Sequence, residues 1–186
     1  MPAGEPARRT LVLGGARSGK SAHAEGLVAA EDVSYLATSR QDPSDAEWTE
    51  RIAAHVARRP AAWRTVEAGD PEVLVQALRT ATEHGPTLLV DDLATWLTGV
   101  LDDASAWDRD PAAMRAVDAH CDALAAAVAE CAARLVLVSA EVGLGIVPAT
   151  RSGRLFRDRL GALNARLAED CDAVLLLVAG VPLTLR

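Results

Sequence analysis

Eight residues near the amino terminus have the types and spacing of a phosphate-binding loop. They read Gly14-Gly15-Ala16-Arg17-Ser18-Gly19-Lys20-Ser21 and fit the pattern G-x-x-x-x-G-K-[ST]. Glycines let the backbone curl so that successive N–H groups point at one phosphate, and the helix that follows adds its positive end. In such loops the lysine bridges the β- and γ-phosphates of a nucleotide, and the hydroxyl holds Mg²⁺. The sequence therefore predicts a nucleotide site at residues 14–21, with Lys20 catalytic and Ser21 a metal ligand.

Lys20 is also the only lysine in the chain, since every other basic residue is Arg or His. The alternative is a glycine-rich β-to-α turn that binds nothing. Chance rarely assembles the whole pattern between an apolar run and a helical stretch, so nucleotide binding is favoured.

A magnesium partner is expected at the end of another strand. The apolar run 88–90 ends in Asp91 and Asp92. Asp91 continues the strand and is the better candidate for the metal, whereas Asp92 could cap the helix that follows. We therefore predict Ser21 and Asp91 as the metal ligands.

The elements that must position these residues alternate along the chain. Short apolar runs typical of buried strands occur at Thr10–Leu13, Val33–Ala37, Thr87–Asp91, Arg134–Ser139 and Ala173–Ala179. Helix starts are indicated by the capping-box pair Ser44 and Glu47, by Asp70-Pro71 and by Asp110-Pro111, with a long helix over Ala112–Ala133. Residues 178–183 are predicted to form a C-terminal edge hairpin. The pattern predicts one domain over residues 1–186, built on a mostly parallel, doubly wound α/β sheet whose ligands bind beyond the carboxyl ends of its strands.

Composition excludes several classes of protein. The chain has 186 residues, of which 50% are apolar, which argues against disorder. Its net charge of −7 argues against a broad surface for nucleic acid or for an anionic membrane. No apolar stretch has the length of a membrane span, and we expect a soluble, cytoplasmic protein. Cys121, Cys131 and Cys171 lack metal-site or disulfide spacing and are interpreted as buried, reduced thiols.

Further segments carry a family resemblance that covers nearly the whole chain from Thr10 onward. Besides the phosphate loop and Val90-Asp91, the matching segments are 35–39, 51–55, 59–60, 63–67, 141–148 and 156–158, with Gly161 and Asn164. Together they resemble the bifunctional adenosylcobinamide kinase / adenosylcobinamide-phosphate guanylyltransferase family of cobalamin biosynthesis. The resemblance implies a RecA-like P-loop NTPase fold, a homotrimer, ATP and GTP as nucleotide substrates, and adenosylcobinamide and its phosphate as the other substrates; Mg²⁺ is the cofactor expected from the phosphate loop.

The resemblance also implies a catalytic histidine that carries GMP covalently, which matches His55. The residues alone do not indicate this role and favour an exposed or C-terminal-capping histidine near the end of a predicted helix over Ser44–Arg58. The nucleotide-binding residues implied beyond the loop are Thr38, Ser39, Arg40, Val56, Ala57, Arg58, Arg59, Glu67 and Asp91. Glu67 suits the N1 and N2 donors of guanine. The residues do not identify a general base for the kinase step.

Two other functions fit the phosphate loop by itself. One is a small-molecule kinase without a covalent intermediate, and the other is an NTPase that acts as a conformational switch. Neither requires the segment from Arg51 to Glu67.

Overall fold

The computed structural model describes residues 7–40, 50 and 59–186. The five apolar runs predicted as strands are confirmed and lie in one sheet. They are β1 (Arg9–Gly14), β2 (Val33–Ala37), β4 (Thr87–Asp91), β5 (Leu135–Ala140) and β6 (Ala173–Val178). Two further strands, β3 (Arg64–Glu67) and β7 (Val181–Thr184), join the same sheet. The strand order is β3-β2-β4-β5-β1-β6-β7, and every pair is parallel except the last. The predicted mostly parallel sheet is thus confirmed.

Of the two edge strands, β7 was predicted from the sequence and β3 was not. β7 (Val181–Thr184) pairs antiparallel with β6 and confirms the C-terminal edge hairpin, which turns at Ala179 and Gly180 with φ of 51° and 81°. β3 (Arg64–Glu67) was not predicted as a strand. It has no apolar run, because Val66 is its only apolar residue and the other three side chains are exposed.

Five helices are described, and two of them begin at the predicted Asp-Pro caps. They are α1 (Lys20–Leu27), α2 (Pro71–Thr80), α3 (Leu93–Asp103), α4 (Pro111–Glu130) and α5 (Arg151–Glu169), with a short 3-10 helix at Ala106–Asp108. The side chain of Asp70 accepts a hydrogen bond from the N–H of Glu72, and that of Asp110 from the N–H groups of Ala112 and Ala113. The capping box at Ser44 and Glu47 lies outside the described residues.

Alternating side chains along the strands divide the core into two layers. Leu11 and Leu13 of β1 face the larger layer, which α2, α3, α4 and α5 cover. Val12 faces the other layer, which contains Tyr35 of β2 and Ala24 of α1. Helices therefore cover both faces, as in a doubly wound sheet. In the described part of the chain, no helix combines the length and the apolarity needed to cross a membrane.

A buried polar contact fixes the carboxyl end of β5 beside β1. Asn164 of α5 is 4% exposed; its Oδ1 accepts a hydrogen bond from Ser139 Oγ at 2.7 Å, and its Nδ2 donates to the carbonyl of Ala140 at 3.0 Å. The next residue, Glu141, donates its N–H to the carbonyl of Gly14 at 3.1 Å. Asn164 therefore anchors the strand end that lies against the start of the phosphate loop.

We predict that Asn164→Ala lowers the free energy of unfolding by about 1–3 kcal/mol. The substitution removes the two side-chain hydrogen bonds that Asn164 makes inside the core, to the Ser139 hydroxyl and to the Ala140 carbonyl. Urea denaturation measures the change. Since Ser139→Ala removes one of the same hydrogen bonds, the double variant should lose less stability than the sum of the single variants. Additive losses would contradict the coupling.

Candidate active site

The phosphate loop lies between β1 and α1, as predicted. Gly19 caps the helix with φ 88°, in the left-handed region that favours glycine, and His23 donates its N–H to the Gly19 carbonyl at 2.9 Å. Among the described residues, no side chain caps this helix start. Its first N–H groups thus remain for an anion, which the helix dipole also favours.

The C-terminal hairpin contacts the phosphate loop directly. Gly180, at the turn between β6 and β7, donates its N–H to the carbonyl of Ser18 at 3.0 Å. The hairpin was predicted from the sequence, but this contact was not. Ser18 and Gly180, 162 positions apart in the chain, are therefore in direct contact at the phosphate loop.

Gly14 is a glycine for reasons of space. A Cβ at this position would lie 2.3 Å from Ser18 Oγ and 3.1 Å from the carbonyl oxygen of Leu177. Ser18 is 7% exposed, so its hydroxyl sits inside the loop, against the Gly14 backbone. At Gly15, by contrast, a Cβ would meet nothing within 4 Å.

Ser21 and Asp91 meet at the carboxyl edge of the sheet. Ser21, at the start of α1, donates its hydroxyl to Asp91 Oδ1 at 3.0 Å. Asp91 ends β4 and shares its strand face with Leu89, which belongs to the α1 layer of the core. Strand alternation therefore turns the Asp91 carboxylate to the side on which the phosphate loop lies.

Tyr35 holds the other oxygen of this carboxylate. Its hydroxyl donates to Asp91 Oδ2 at 2.5 Å. Burial, and then the charge and hydrogen bond of Asp91, raise the pKa of Tyr35 well above its usual value, so the phenol remains the donor. No role was predicted for Tyr35 from the sequence. A signal was present, because a tyrosine in a fully buried strand needs a partner for its hydroxyl.

Asp92 caps α3, as the sequence analysis allowed. Its Oδ1 accepts hydrogen bonds from the N–H and the hydroxyl of Thr95 at 2.9 and 3.1 Å. Burial, followed by the neighbouring charge of Asp91, raises the pKa of the Asp92 carboxyl. Lys20 acts in the opposite direction and lowers the pKa, so the lysine lies within electrostatic reach of this carboxyl.

The predicted nucleotide-binding residues at the carboxyl ends of β2 and β3 differ in their surroundings. Thr38 is 1% exposed, and its hydroxyl contacts the Asp92 carbonyl at 2.7 Å and the Thr95 hydroxyl at 2.6 Å. Ser39, Arg40 and Glu67 instead line a cavity of about 560 Å³ at the carboxyl ends of these strands, together with Gly69, Asp70 and Asp103. No phosphate-loop residue lines this cavity. We call this space the β2–β3 cavity; the phosphate loop lies outside its lining.

Arg40 forms one wall of the cavity and is engaged by its neighbours. It donates to both carboxylate oxygens of Asp103 at 2.7 and 2.5 Å, and its Nε donates to the Gly69 carbonyl at 2.9 Å. The hydrogen bonds from Arg40 lower the pKa of Asp103. Arg40 therefore ties the end of β2 to α3 and to the loop before α2.

Four of the predicted site residues lie outside the described residues, namely His55, Val56, Ala57 and Arg58. The next residue, Arg59, is described. Its guanidinium carbon lies 3.5 Å from the centroid of the Tyr35 ring. The end of the segment expected to carry the nucleophile therefore contacts the residue that holds Asp91.

The three cysteines are not reactive groups of the site. Cys131 and Cys171 are buried and Cys121 is partly buried, and none forms a disulfide. Burial raises the pKa of Cys121 to about 11 and that of Cys171 to about 12. A raised pKa disfavours the reactive thiolate form. The predicted burial is confirmed for Cys131 and Cys171, whereas Cys121 is only partly buried.

The donor set beside the phosphate loop fits Mg²⁺. In the described ranges, no group of three or more His, Cys, Asp or Glu could hold a metal ion by itself. Mg²⁺ in nucleotide sites typically takes one or two protein oxygens together with phosphates and water. Ser21 Oγ and Asp91 Oδ1, 3.0 Å apart at the helix start, supply two such hard oxygen atoms.

We predict that Gly14→Ala lowers the thermal midpoint of the ligand-free protein by several degrees, because overpacking costs about 1–3 kcal/mol. Gly15→Ala is the matched control. With open space around its Cβ, it should keep the wild-type midpoint. Thermal unfolding followed by circular dichroism measures both, and equal losses would contradict the packing account.

Comparison with solved structures shows the fold. An ATPase of the type III secretion system of pathogenic bacteria matches with a TM-score of 0.59 and 12% identity, over 91% of this chain and 51% of that chain. The assembled ATPase EscN of enteropathogenic E. coli matches with a TM-score of 0.54 and 12% identity, over 93% and 43%. This chain thus spans about half the length of these ATPases. The likeness confirms the RecA-like P-loop fold.

Comparison with sequences is more specific. The curated relative from Pseudomonas aeruginosa named bifunctional adenosylcobalamin biosynthesis protein CobP is 44% identical over 180 residues, which are 96% of this chain and 97% of the relative. The proteins named CobU from Salmonella typhimurium and Escherichia coli are 42% and 40% identical, each over 92% of this chain and 96% of the relative. The model of the cobinamide kinase / cobinamide phosphate guanyltransferase family matches residues 10–185. With a phosphate loop at the carboxyl edge of a RecA-like sheet and this match along its length, the chain belongs to the cobinamide kinase / cobinamide phosphate guanyltransferase family.

Proposed function

We propose that the protein phosphorylates adenosylcobinamide with ATP or GTP and then transfers GMP from GTP to the resulting phosphate, giving adenosylcobinamide-GDP for cobalamin biosynthesis. The family match across residues 10–185 is the observation that carries this proposal. The phosphate loop and the adjoining Ser21–Asp91 pair support it, because both reactions consume a nucleoside triphosphate.

In the kinase reaction the terminal hydroxyl of the aminopropanol arm of adenosylcobinamide attacks the γ-phosphate. An O–P bond forms, the bond to the nucleoside diphosphate breaks, and the hydroxyl proton leaves. The loop N–H groups and Lys20 stabilise the negative charge that spreads over the transferring group. Ser21 and Asp91 would hold Mg²⁺, which neutralises charge on the phosphate oxygens.

In the guanylyl reaction the His55 imidazole attacks the α-phosphate of GTP, a P–N bond forms and pyrophosphate leaves. A phosphate oxygen of adenosylcobinamide phosphate then attacks the same phosphorus. The P–N bond breaks, a diphosphate bridge forms and the histidine is regenerated. The covalent intermediate divides one transfer between two bulky anions into two smaller steps.

The β2–β3 cavity suits the base of GTP. Glu67 lines it and is exposed, with a carboxylate that can accept hydrogen bonds from the N1 and N2 donors of guanine. Arg40 stays paired with Asp103 in the same wall. We propose Glu67 as the guanine contact, and we retain Thr38, Ser39, Arg40 and the segment 56–59 as nucleotide-binding predictions.

We further propose that the protein forms a single domain. Strand β1 near the amino terminus and strand β6 near the carboxyl terminus pair directly, which favours one domain over residues 1–186. The homotrimer and the cytoplasmic location stay predictions that follow from the family resemblance and from the composition.

We predict that Asp91→Asn raises the Mg²⁺ concentration needed for half-maximal kinase rate far more than Asp92→Asn does. Asp91 faces Ser21, whereas Asp92 is engaged in capping α3. Initial rates over a Mg²⁺ titration at saturating nucleotide measure the difference. A larger effect at Asp92 would assign the metal to the other carboxylate.

For the nucleophile we predict that His55→Ala abolishes the alkali-stable, acid-labile GMP adduct and the formation of adenosylcobinamide-GDP. Phosphorylation of adenosylcobinamide should remain measurable, because that step uses the γ-phosphate and does not need the imidazole. Incubation with α-labelled GTP, intact-protein mass and the two product yields test this.

The exposed His84 supplies the matched control, and His84→Ala should keep the adduct and both products. If His55→Ala still gained the mass of GMP, the covalent site would lie elsewhere, and His23 of α1, just beyond the phosphate loop, would be the next candidate.

A further inference from the structure

Two elements hold the two oxygens of the Asp91 carboxylate. Ser21 donates to Oδ1 at 3.0 Å from the start of α1, and Tyr35 donates to Oδ2 at 2.5 Å from β2. A rotation of the carboxylate plane would misalign both contacts at once. Its orientation is therefore fixed before any cation arrives.

The Tyr35 ring is itself immobilised. It is 1% exposed, the Arg59 guanidinium lies over it at 3.5 Å, and the Trp63 ring stacks at a centroid distance of 6.5 Å. Tyr35 pairs in register with Leu89 of β4, two residues before Asp91 on the same strand face. The hydroxyl is therefore aimed along the sheet toward the carboxyl edge and cannot swing away.

Outer hydrogen bonds of this kind affect the metal more than the fold. A carboxylate that ligates a cation is commonly oriented by a further donor, and loss of that donor typically weakens metal affinity by about 10–100-fold. A tyrosine that merely satisfied a buried hydroxyl would affect stability and leave cation affinity unchanged. The two roles are separable by experiment.

We propose that Tyr35 is a positioning residue of the metal site, whose hydroxyl keeps Asp91 Oδ1 turned toward Ser21 and so sets the affinity for the divalent cation. This inference rests on the proposed metal role of Ser21 and Asp91. It assigns to the only tyrosine of the chain a role that neither the phosphate loop nor the expected nucleophile supplies.

The test compares Mn²⁺ binding by electron paramagnetic resonance in complexes with a GTP analogue that has a methylene bridge between its α- and β-phosphates. Tyr35→Phe keeps the ring and removes the hydroxyl, and it should weaken Mn²⁺ binding about tenfold. In the kinase assay its rate should recover at saturating Mg²⁺, which a folding defect would not allow.

Thr87→Val is the matched control. Thr87 begins the same strand as Asp91, is 7% exposed and donates its hydroxyl to the Glu31 carboxylate at 2.5 Å, at the opposite edge of the sheet. The variant should keep wild-type Mn²⁺ affinity even if its thermal midpoint falls as far as that of Tyr35→Phe.

Asp91→Asn separates the inference from the function on which it rests. If Asp91→Asn weakens Mn²⁺ binding and Tyr35→Phe does not, the positioning role is wrong and the metal site stands. If Asp91→Asn leaves Mn²⁺ affinity unchanged, the proposed metal site itself is wrong. Equal weakening by Tyr35→Phe and Thr87→Val would also overturn the positioning role.

Discussion

The contact between the Ser21 hydroxyl and the Asp91 carboxylate is the constraint on which the site depends. The two residues are 70 positions apart in the chain, and their side-chain oxygens lie 3.0 Å apart. They meet because β4, β5 and β1 are consecutive parallel neighbours, so that α1 begins at the edge where β4 ends. A change in strand order or in the register of β4 would separate the loop from its acidic partner. Two further contacts hold this edge in place. Asn164 donates to the Ala140 carbonyl at the end of β5, and Gly180 donates to the Ser18 carbonyl in the phosphate loop.

The two adjacent carboxyl groups at this edge of the sheet, those of Asp91 and Asp92, have different roles. Asp91 faces Ser21 and Tyr35, while Asp92 accepts hydrogen bonds from Thr95 at the start of α3. Burial and the charge of Asp91 raise the pKa of Asp92, and the nearby Lys20 opposes this effect. Neighbouring carboxyls thus differ because one ends a strand on the face of the phosphate loop and the other caps a helix. The proposed chemistry follows from that division, since the metal needs a carboxylate on the loop side.

Much of the fold and the position of the phosphate loop were predictable from local sequence patterns. The apolar run before Gly14, the loop to Ser21 and the caps at Asp70 and Asp110 each combine residue type with short-range spacing, and the structure bears them out. Contacts between residues that are far apart in the chain leave no such local sequence pattern. Strand β3 is short and exposed, and its place beside β2 is a tertiary outcome. The bonds of Tyr35 to Asp91 and of Arg40 to Asp103 join residues 56 and 63 positions apart, and only the folded sheet brings them together.

The most direct test of the central contact is a crystal structure with Mn²⁺ and the methylene-bridged GTP analogue, in which anomalous scattering locates the metal ion. The account predicts one Mn²⁺ peak between the nucleotide phosphates and the start of α1, with Ser21 Oγ as a ligand and Asp91 coordinating it or one of its waters. A metal ion bound through Asp92, or one with no contact to Ser21, would contradict the account.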